Sequence, residues 1–245
     1  MSAPVLAVEG LTKRFGGFVA LEGVDLAVAP AERVGLIGPN GSGKSTLVNC
    51  ITGVLRQESG TIRFDGHDLK ALPPHRRIRL GLARSFQIPR PFASMTVLDN
   101  LRIPLLYAAH MHGGAKRSAA EAADEALAIL GQIGLAAKAD ERSGGLTQVD
   151  MRKLELARAI AARPKLLISD EAMAGLSTTE VDEILAILLD MKARGIAVIM
   201  LEHIMRAVMR FSERVAVLVV GRKIADGVPA EVMSNIEVEK AYLGE

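Results

Sequence analysis

The octapeptide GPNGSGKS at residues 38–45 is the most informative stretch of this 245-residue chain. It matches the pattern G-x-x-x-x-G-K-[ST] at every fixed position. The apolar run Val34–Ile37 precedes it and is typical of a buried parallel strand. The residues from Ser45 to Thr52 predict a helix, which Gly53 can end. This order of strand, loop and helix predicts a loop that binds phosphate groups.

The residue types of this loop suit a nucleotide with a metal ion. Glycines let the backbone N–H groups approach the phosphates, and the start of the helix adds the positive end of its dipole. Lys44 is predicted to reach the β- and γ-phosphates, and the Ser45 hydroxyl to coordinate Mg²⁺. A glycine-rich turn that binds nothing is the alternative. The residues predicted to bind ATP here are Gly38, Asn40, Gly41, Ser42, Gly43, Lys44, Ser45 and Thr46.

Two adjacent carboxylates follow a second apolar strand, Leu166–Ile168. In open α/β sheets the ligand lies outside the carboxyl ends of the strands, which is where Asp170 and Glu171 are expected. Asp170 is predicted to hold Mg²⁺, and Glu171 to orient or deprotonate the attacking water. Without the phosphate loop upstream, such a pair is more often a charge pair at a helix N-terminus.

The pattern around these motifs predicts an α/β fold. Strands alternate with helices, which indicates a mostly parallel sheet covered on both faces. An antiparallel strand around Gly60–Phe64 turns at Asp65, so a small antiparallel β subdomain is expected near the N-terminus. Residues 89–162 are mostly helical and interrupt the alternation. We therefore predict a single domain over 1–245, with a phosphate-loop core at 1–88 and 163–245 and an inserted helical subdomain at about 89–162.

Composition excludes several other classes. The net charge is +2, and no stripe of basic residues interleaved with aromatic residues indicates a nucleic-acid partner. Arg76, Arg77 and Arg79 are interpreted as a solvated face. The single cysteine, Cys50, is predicted to be a small buried residue in a reducing compartment. No signal peptide or apolar run of membrane-spanning length is visible, so a role at a membrane requires another chain.

Taken together, these motifs resemble the nucleotide-binding subunits of ABC transporters over the whole chain. The resemblance implies three further roles. Gln87 is similar to the glutamine that completes the Mg²⁺ and water shell, His203 to the histidine that contacts the γ-phosphate, and Phe15 to the aromatic residue that stacks on adenine. From the residues alone, Gln87 can also be a plain loop residue, His203 a structural one and Phe15 part of the core.

Four shorter stretches resemble the ATPase subunits of high-affinity branched-chain amino acid importers. They are LTKRFGG at residues 11–17, NCITG at 49–53, MTVLDNL at 95–101 and AYLGE at 241–245. This resemblance implies membrane permease subunits, a second ATPase subunit in a homo- or heterodimer, and indirectly a periplasmic or extracellular solute-binding protein. It places the chain peripherally on the cytoplasmic face of the inner membrane. Arg90 and Phe92 are expected to contact the permease.

The chain departs from the family pattern at the signature LSGGQ, which binds the γ-phosphate of ATP held by the opposite subunit. The aligned residues 146–150 read LTQVD, so Thr147, Gln148 and Val149 are expected to carry that contact without either glycine. The SGG at residues 143–145 lies four residues early. Our hypothesis is that ATP binding is intact while dimer closure and hydrolysis are weakened. Further departures from the family are Ala172, Ser177 and Ile204.

Three rival functions remain at this point. An ATPase of an exporter or lipid-extraction system has a similar chain, and the altered signature allows a regulatory subunit with little catalysis. ABC ATPases that act on DNA or ribosomes usually carry tandem domains or a long coiled coil, and this chain has neither.

Overall fold

The computed structural model describes residues 3–85, 89–111 and 118–243, and in these ranges the chain forms two β-sheets and a set of α-helices. The strands are β1 (Leu6–Phe15), β2 (Phe18–Val28), β3 (Arg33–Ile37), β4 (Ser59–Phe64), β5 (His67–Asp68), β6 (Leu82–Ser85), β7 (Leu166–Asp170), β8 (Ala197–Leu201), β9 (Arg214–Val219) and β10 (Arg222–Gly227). The helices are α1 (Lys44–Thr52), α2 (Pro74–Arg79), α3 (Val97–Met111), α4 (Ala119–Gln132), α5 (Gln148–Ala161), α6 (Thr178–Asp190), α7 (Met205–Phe211), α8 (Pro229–Met233) and α9 (Ile236–Leu243).

The larger sheet has the order β10-β9-β3-β8-β7-β6. Its strands from β9 to β6 are parallel, and β10 pairs antiparallel with β9 as a hairpin. Neighbouring residues of β7 and β8 pack on opposite faces: Ile168 and Ile199 contribute to the core beneath α1, and Leu167 and Val198 to the core beneath α5 and α6. Every position of both strands is buried, because helices cover both faces. The predicted mostly parallel sheet is confirmed.

The predicted antiparallel β subdomain is the four-stranded sheet β2-β1-β4-β5. The run VLAVE at residues 5–9 predicts only a short strand, whereas β1 extends to Phe15. Gly10 explains the difference, since its φ of 58° interrupts the alternation while the strand continues. The pairing between β1 and β2 shifts register after Val8 and resumes at Leu11.

The helices α3, α4 and α5 lie within the segment predicted as an inserted helical subdomain, and they share a hydrophobic core. Fully buried residues from each helix, such as Leu101, Leu130 and Leu154, meet in it. The helix α4 begins with a capping box, in which the Ser118 hydroxyl accepts from the Glu121 N–H and the Glu121 carboxylate accepts from the Ser118 N–H.

The prediction that the Arg76–Arg79 cluster is a solvated face is wrong for Arg77, of which only 4% is exposed. Its guanidinium donates to the carbonyl oxygens of Cys50 and Ile51 at 2.7 and 2.8 Å. It also bonds to the carbonyls of Leu69 and Leu72, both at 2.8 Å. The reason is that α1 ends at Thr52 and leaves carbonyl groups without helical partners, at the negative end of its dipole. Arg77 therefore caps the C-terminus of α1, the helix that begins at the phosphate loop.

Cys50 lies on α1 and is buried, as predicted. Burial raises the pKa of its thiol to about 11, so the thiolate is not populated near neutral pH.

Candidate nucleotide-binding site

The glycine-rich loop joins β3 to α1, as its sequence predicts, and two of its glycines are required by close packing. Gly38 has a φ of 150°, and a Cβ there would lie 2.0 Å from the carbonyl oxygen of Leu218. Gly43 has a φ of 103°, and a Cβ there would lie 2.6 Å from the carbonyl oxygen of Ala20. The loop is therefore packed against β9 on one side and β2 on the other. Only glycine permits this approach.

Lys44 is the first residue of α1 and folds back over the loop. Its ammonium donates to the carbonyl oxygens of Gly38 and Pro39 at 2.6 and 3.0 Å. Burial lowers the pKa of Lys44, and the charges of Glu171 and Asp170 oppose that shift. A cation at a helix N-terminus is electrostatically unfavourable unless an anion lies beside it. This arrangement is the one expected of a site that receives a phosphate.

Ser45 and Thr46 follow Lys44 in the first turn of α1, and the Ser45 side chain is exposed. Asn40 and Gly41 lie at the exposed top of the loop, whereas Ser42 is buried. The exposed loop residues and Ser45 are open to a ligand from solvent.

The carboxylate predicted to act on the attacking water and the histidine predicted to contact the γ-phosphate lie together. Asp170 is the last residue of β7, and Glu171 follows with a φ of 48°. Positive φ is uncommon for a residue with a side chain and costs about 1–3 kcal/mol, so the surrounding structure must impose it. The Glu171 N–H bonds to the carbonyl of Leu201 at 2.9 Å. Its Oε1 lies 2.8 Å from Nε2 of His203, just after β8.

A third carboxyl group, missed by the sequence analysis, connects the segments that follow β7 and β8. Glu202 is 3% exposed, and its Oε1 accepts from the Met173 N–H at 2.9 Å. Burial raises the pKa of Glu202 to about 7, with a further contribution from the Glu171 charge. Glu202 directly precedes His203 and bonds to Met173, two residues after Glu171. It therefore holds the two backbone segments together. Its only sequence signal is a carboxylate directly after an apolar strand.

The sequence analysis also missed Arg84, which contacts the predicted metal ligand Asp170, and Asn49, which contacts Arg84. Nη2 of Arg84, on β6, donates to Oδ2 of Asp170 at 2.5 Å. Nη1 of the same guanidinium donates to Oδ1 of Asn49, on α1, at 2.8 Å. A single basic residue within the short strand β6 is the signal that was available.

Phe15 is 46% exposed at the end of β1, so the alternative that it belongs to the core is wrong. The ammonium of Lys13 lies 5.2 Å from the centre of its ring. The neighbouring strand β2, which pairs Phe18 with Phe15, also carries Ala20 against Gly43 of the loop. An exposed aromatic ring on this side of the loop is available to a planar ligand, and stacking on adenine stays a prediction.

The altered signature forms the start of α5. Thr147 is the N-cap, and its Oγ1 accepts from the Asp150 N–H at 3.3 Å. Gln148 and Val149 are the first two helical residues, and Val149 does not have positive φ. Val149 is half-buried and packs against the core beneath α6. The strain that positive φ would impose is therefore excluded, and only the bulk of the side chain distinguishes Val149 from glycine.

Asp150 ends the signature and forms an ion pair with Lys138 at 2.5 Å. The Asp150 pKa is lowered: burial raises it, but the bonds from Lys138 and Thr147 outweigh burial. Ser177, where the family commonly has Asp, is the N-cap of α6 and forms a capping box with Glu180. Both departures thus take part in helix caps.

Gln87 lies outside the described residues. A few residues further along the chain, the carbonyl of Arg90 accepts from Arg158 of α5 at 2.9 Å, and the Arg158 guanidinium lies 5.1 Å from the ring centre of Phe92. Phe92 is 45% exposed. The stretch that carries Arg90 and Phe92 is therefore held against α5, while the Phe92 ring stays accessible to solvent.

Comparison with known proteins identifies the family. The profile of the ABC transporter family matches residues 21–174. The chain belongs to this family. It is an ABC ATPase, as the resemblance implied, and its α/β fold is that of an ATP-binding cassette.

The chain is similar over its full length to curated and solved members. It is 39% identical to the high-affinity branched-chain amino acid transport ATP-binding protein BraF of Pseudomonas aeruginosa, with 100% of both chains covered. It is also 39% identical, with 100% of both covered, to the high-affinity branched-chain amino acid transport ATP-binding protein LivG of Salmonella typhimurium. The structure of the ADP conformation of MJ1267, an ATP-binding cassette of an ABC transporter, superposes with a TM-score of 0.86 at 31% identity, with 100% of each chain covered. Among the described residues of this ABC ATPase, no helix combines the length and hydropathy of a membrane span.

Proposed function

We propose that this ABC ATPase powers the import of branched-chain or related amino acids by hydrolysing Mg-ATP at the site built from the phosphate loop, Asp170, Glu171 and His203. The observation that carries the proposal is the full-length 39% identity to an ATPase subunit of branched-chain amino acid transport. The contacts within the site give each side chain a role.

Binding of the triphosphate rests on the loop and Lys44. The backbone N–H groups at the start of α1 point toward the phosphates, and the Lys44 ammonium exchanges its loop carbonyls for phosphate oxygens. The Phe15 ring stacks on the adenine. These interactions are already made with bound ATP before hydrolysis, so they determine the affinity for ATP.

Hydrolysis uses the pair Glu171 and His203. A water attacks the γ-phosphorus, a new O–P bond forms, and the bond to the β–γ bridging oxygen breaks with its electron pair leaving on ADP. Glu171 accepts the proton of the attacking water, and His203, 2.8 Å from its carboxylate, orients it and contacts the γ-phosphate. Gln87 is assigned to the same water and metal shell.

The residues present fit Mg²⁺. Among the described residues no group of three or more His, Cys, Asp or Glu side chains forms a protein-only metal site. Mg²⁺ in nucleotide sites takes one or two protein oxygens and completes its shell with phosphates and water, which matches the Ser45 hydroxyl and the Asp170 carboxylate. When bound, the ion neutralises charge on the phosphate oxygens.

A second ATPase subunit completes the site. In a head-to-tail dimer, the N-terminus of α5 of the partner faces the γ-phosphate. Thr147 is exposed at this N-terminus, and its hydroxyl can exchange its bond to the Asp150 carboxylate for one to a phosphate oxygen. Val149 adds bulk at this contact, which favours a heterodimer whose other subunit has an intact signature.

The replacement Val149→Gly is expected to raise the steady-state ATPase rate of the assembled transporter about three- to tenfold. The physical reason is that closer approach of the helix N-terminus gains about 1 kcal/mol in the transition state. Val149→Ala is the matched variant, because it removes most of the bulk without the low helix propensity of glycine, and it should give part of the gain. Equal rates for all three proteins would refute the weakened-signature hypothesis.

We assign to membrane permease subunits the role of following the closing and opening of the ATPase dimer. A solute-binding protein delivers the solute to the permease. Arg90 and Phe92 lie at the start of the segment 89–162, before α3, and are the proposed permease contacts. The protein would then work peripherally at the cytoplasmic face of the membrane.

The experiment that tests the proposal is ATP turnover by the purified chain, alone and then with candidate permease and partner ATPase chains. Turnover that rises on assembly and rises further with a solute-binding protein loaded with a branched-chain amino acid supports the proposal. Turnover that responds to a lipid substrate instead favours the exporter alternative. Turnover that stays at the level of Glu171→Gln in every assembly favours a regulatory subunit.

A further inference from the structure

The guanidinium of Arg84 connects three elements of the site. It donates through Nη1 to Asn49 of α1 at 2.8 Å and through Nη2 to Asp170 of β7 at 2.5 Å, while its own backbone lies in β6. The side chains of Arg84 and Asp170 are 14% and 13% exposed, so solvent screens this ion pair only partly. Charge-assisted bonds of this kind are about twice as strong as neutral ones.

The sheet register explains why an arginine is needed. Arg84 pairs with Ile168 of the parallel neighbour β7, two residues before Asp170. At about 3.3 Å per residue the side chain must span about 7 Å along the sheet to reach the carboxylate. It must also present two donors in fixed directions, one to Asp170 and one to Asn49. The planar fork of a guanidinium does both, whereas a lysine ammonium is a single flexible point charge.

We propose that Arg84 is a positioning residue that fixes the Asp170 carboxylate for the divalent cation and ties its orientation to the phosphate-loop helix. The inference rests on the proposed function, because Asp170 is the predicted metal ligand. Since the guanidinium bonds to Oδ2, Oδ1 is the oxygen left for the cation. Because it also bonds to Asn49, the same guanidinium links the end of β7 to α1, whose first turn carries Lys44 and Ser45.

A different role for Arg84, as a simple counter-ion of Asp170, predicts the opposite change in metal affinity. If the guanidinium were only a counter-ion that the metal must displace, its loss would strengthen metal binding. If it positions the carboxylate, a charge-preserving change that spoils the fork will weaken metal binding. Outer partners of metal ligands contribute about 10–100-fold in affinity. The sign of the change in affinity therefore separates the two roles.

The test is Mn²⁺ binding, measured by electron paramagnetic resonance, to the purified chain with a non-hydrolysable ATP analogue. Arg84→Lys keeps the charge and loses the fork, and Asn49→Ala removes the other end of the bridge. We expect a rise of about tenfold in the Mn²⁺ dissociation constant for Arg84→Lys and a smaller rise for Asn49→Ala. Arg79→Lys, the same change at an exposed position of α2, should leave it unchanged. Affinity for the analogue in EDTA should stay within twofold of the parent in all variants.

Two results would overturn the inference alone: an Mn²⁺ affinity of Arg84→Lys equal to the parent, or one that is higher, as for a displaced counter-ion. If Arg84→Lys does not fold, an unchanged Mn²⁺ affinity in Asn49→Ala overturns it equally. Failure of the parent to bind the analogue both with Mn²⁺ and in EDTA overturns the proposed function and this inference with it. A weaker Mn²⁺ affinity with unchanged metal-free nucleotide affinity is the pattern that a merely structural role does not produce.

Discussion

Replacing Glu171 with Gln is expected to lower the ATPase rate about 10²–10⁴-fold while the chain still binds ATP. The amide has the shape of the carboxylate but cannot accept the proton of the attacking water, and general-base catalysis is worth about this factor. The Glu171 carboxylate lies beside His203 rather than in the phosphate loop, so the affinity for the triphosphate should change little. Steady-state phosphate release and binding of a fluorescent ATP analogue measure the two quantities.

The control for this prediction is Glu239→Gln, the same chemical change at an exposed position of α9. It should hydrolyse ATP at the parent rate. A rate for Glu171→Gln within about threefold of the parent would remove Glu171 from the role of general base. Loss of nucleotide binding in the same variant would instead indicate that the strained turn at Glu171, with its φ of 48°, has collapsed onto the loop.

Much of the fold was predictable because the deciding signals are local. Short apolar runs such as Val34–Ile37 and Leu166–Ile168 are recognisable as buried strands, and the phosphate-loop motif fixes the order of strand and helix between them. The ends of the first two strands were not predictable to the same degree. Gly10 and Gly23, with φ of 58° and 62°, break the period-2 pattern, yet the antiparallel pairing continues around them.

The candidate site divides in the same way. Short contiguous motifs predicted both the chemistry and the position of Lys44, Asp170 and Glu171. Each lies at the end of a strand or at the start of a helix, as predicted. Arg84 was not predicted, because its partners Asn49 and Asp170 are 35 and 86 residues away in sequence. Such a contact depends on strand order and register, which no local pattern encodes.

The signature illustrates a third case, in which the sequence posed a question that only backbone geometry answers. A valine in place of glycine suggested two costs, strain from positive φ and steric bulk. Because Val149 lies in the first turn of α5 without positive φ, the first cost is absent. The remaining cost is confined to the contact with the opposite subunit, so the effect belongs to the assembled dimer and not to the folding of this chain.

Arg77 is the residue at which a stability change should be largest, and Arg77→Met is expected to lower the free energy of unfolding by about 3–5 kcal/mol. Removing one partner of a buried charged network has a cost of this size, because the remaining polar groups lose their bonds and stay out of water. Here the groups are four carbonyl oxygens, two of them at the C-terminus of α1. For a chain of this size the melting temperature should fall by about 6–20 °C, measured by calorimetry or by circular dichroism.

Arg76→Met supplies the matched comparison, since Arg76 is exposed on the same short helix. Surface substitutions of this kind change stability by less than about 0.5 kcal/mol. Equal losses in the two variants would show that the buried guanidinium contributes nothing beyond an exposed one. A selective loss in Arg77→Met would show that the buried guanidinium stabilises the C-terminus of the phosphate-loop helix. Lys44, at the N-terminus of the same helix, is proposed to bind phosphate, whereas Arg77 bonds to backbone carbonyls at the C-terminus. A residue that composition alone marks as solvated would then be part of what keeps the nucleotide site in place.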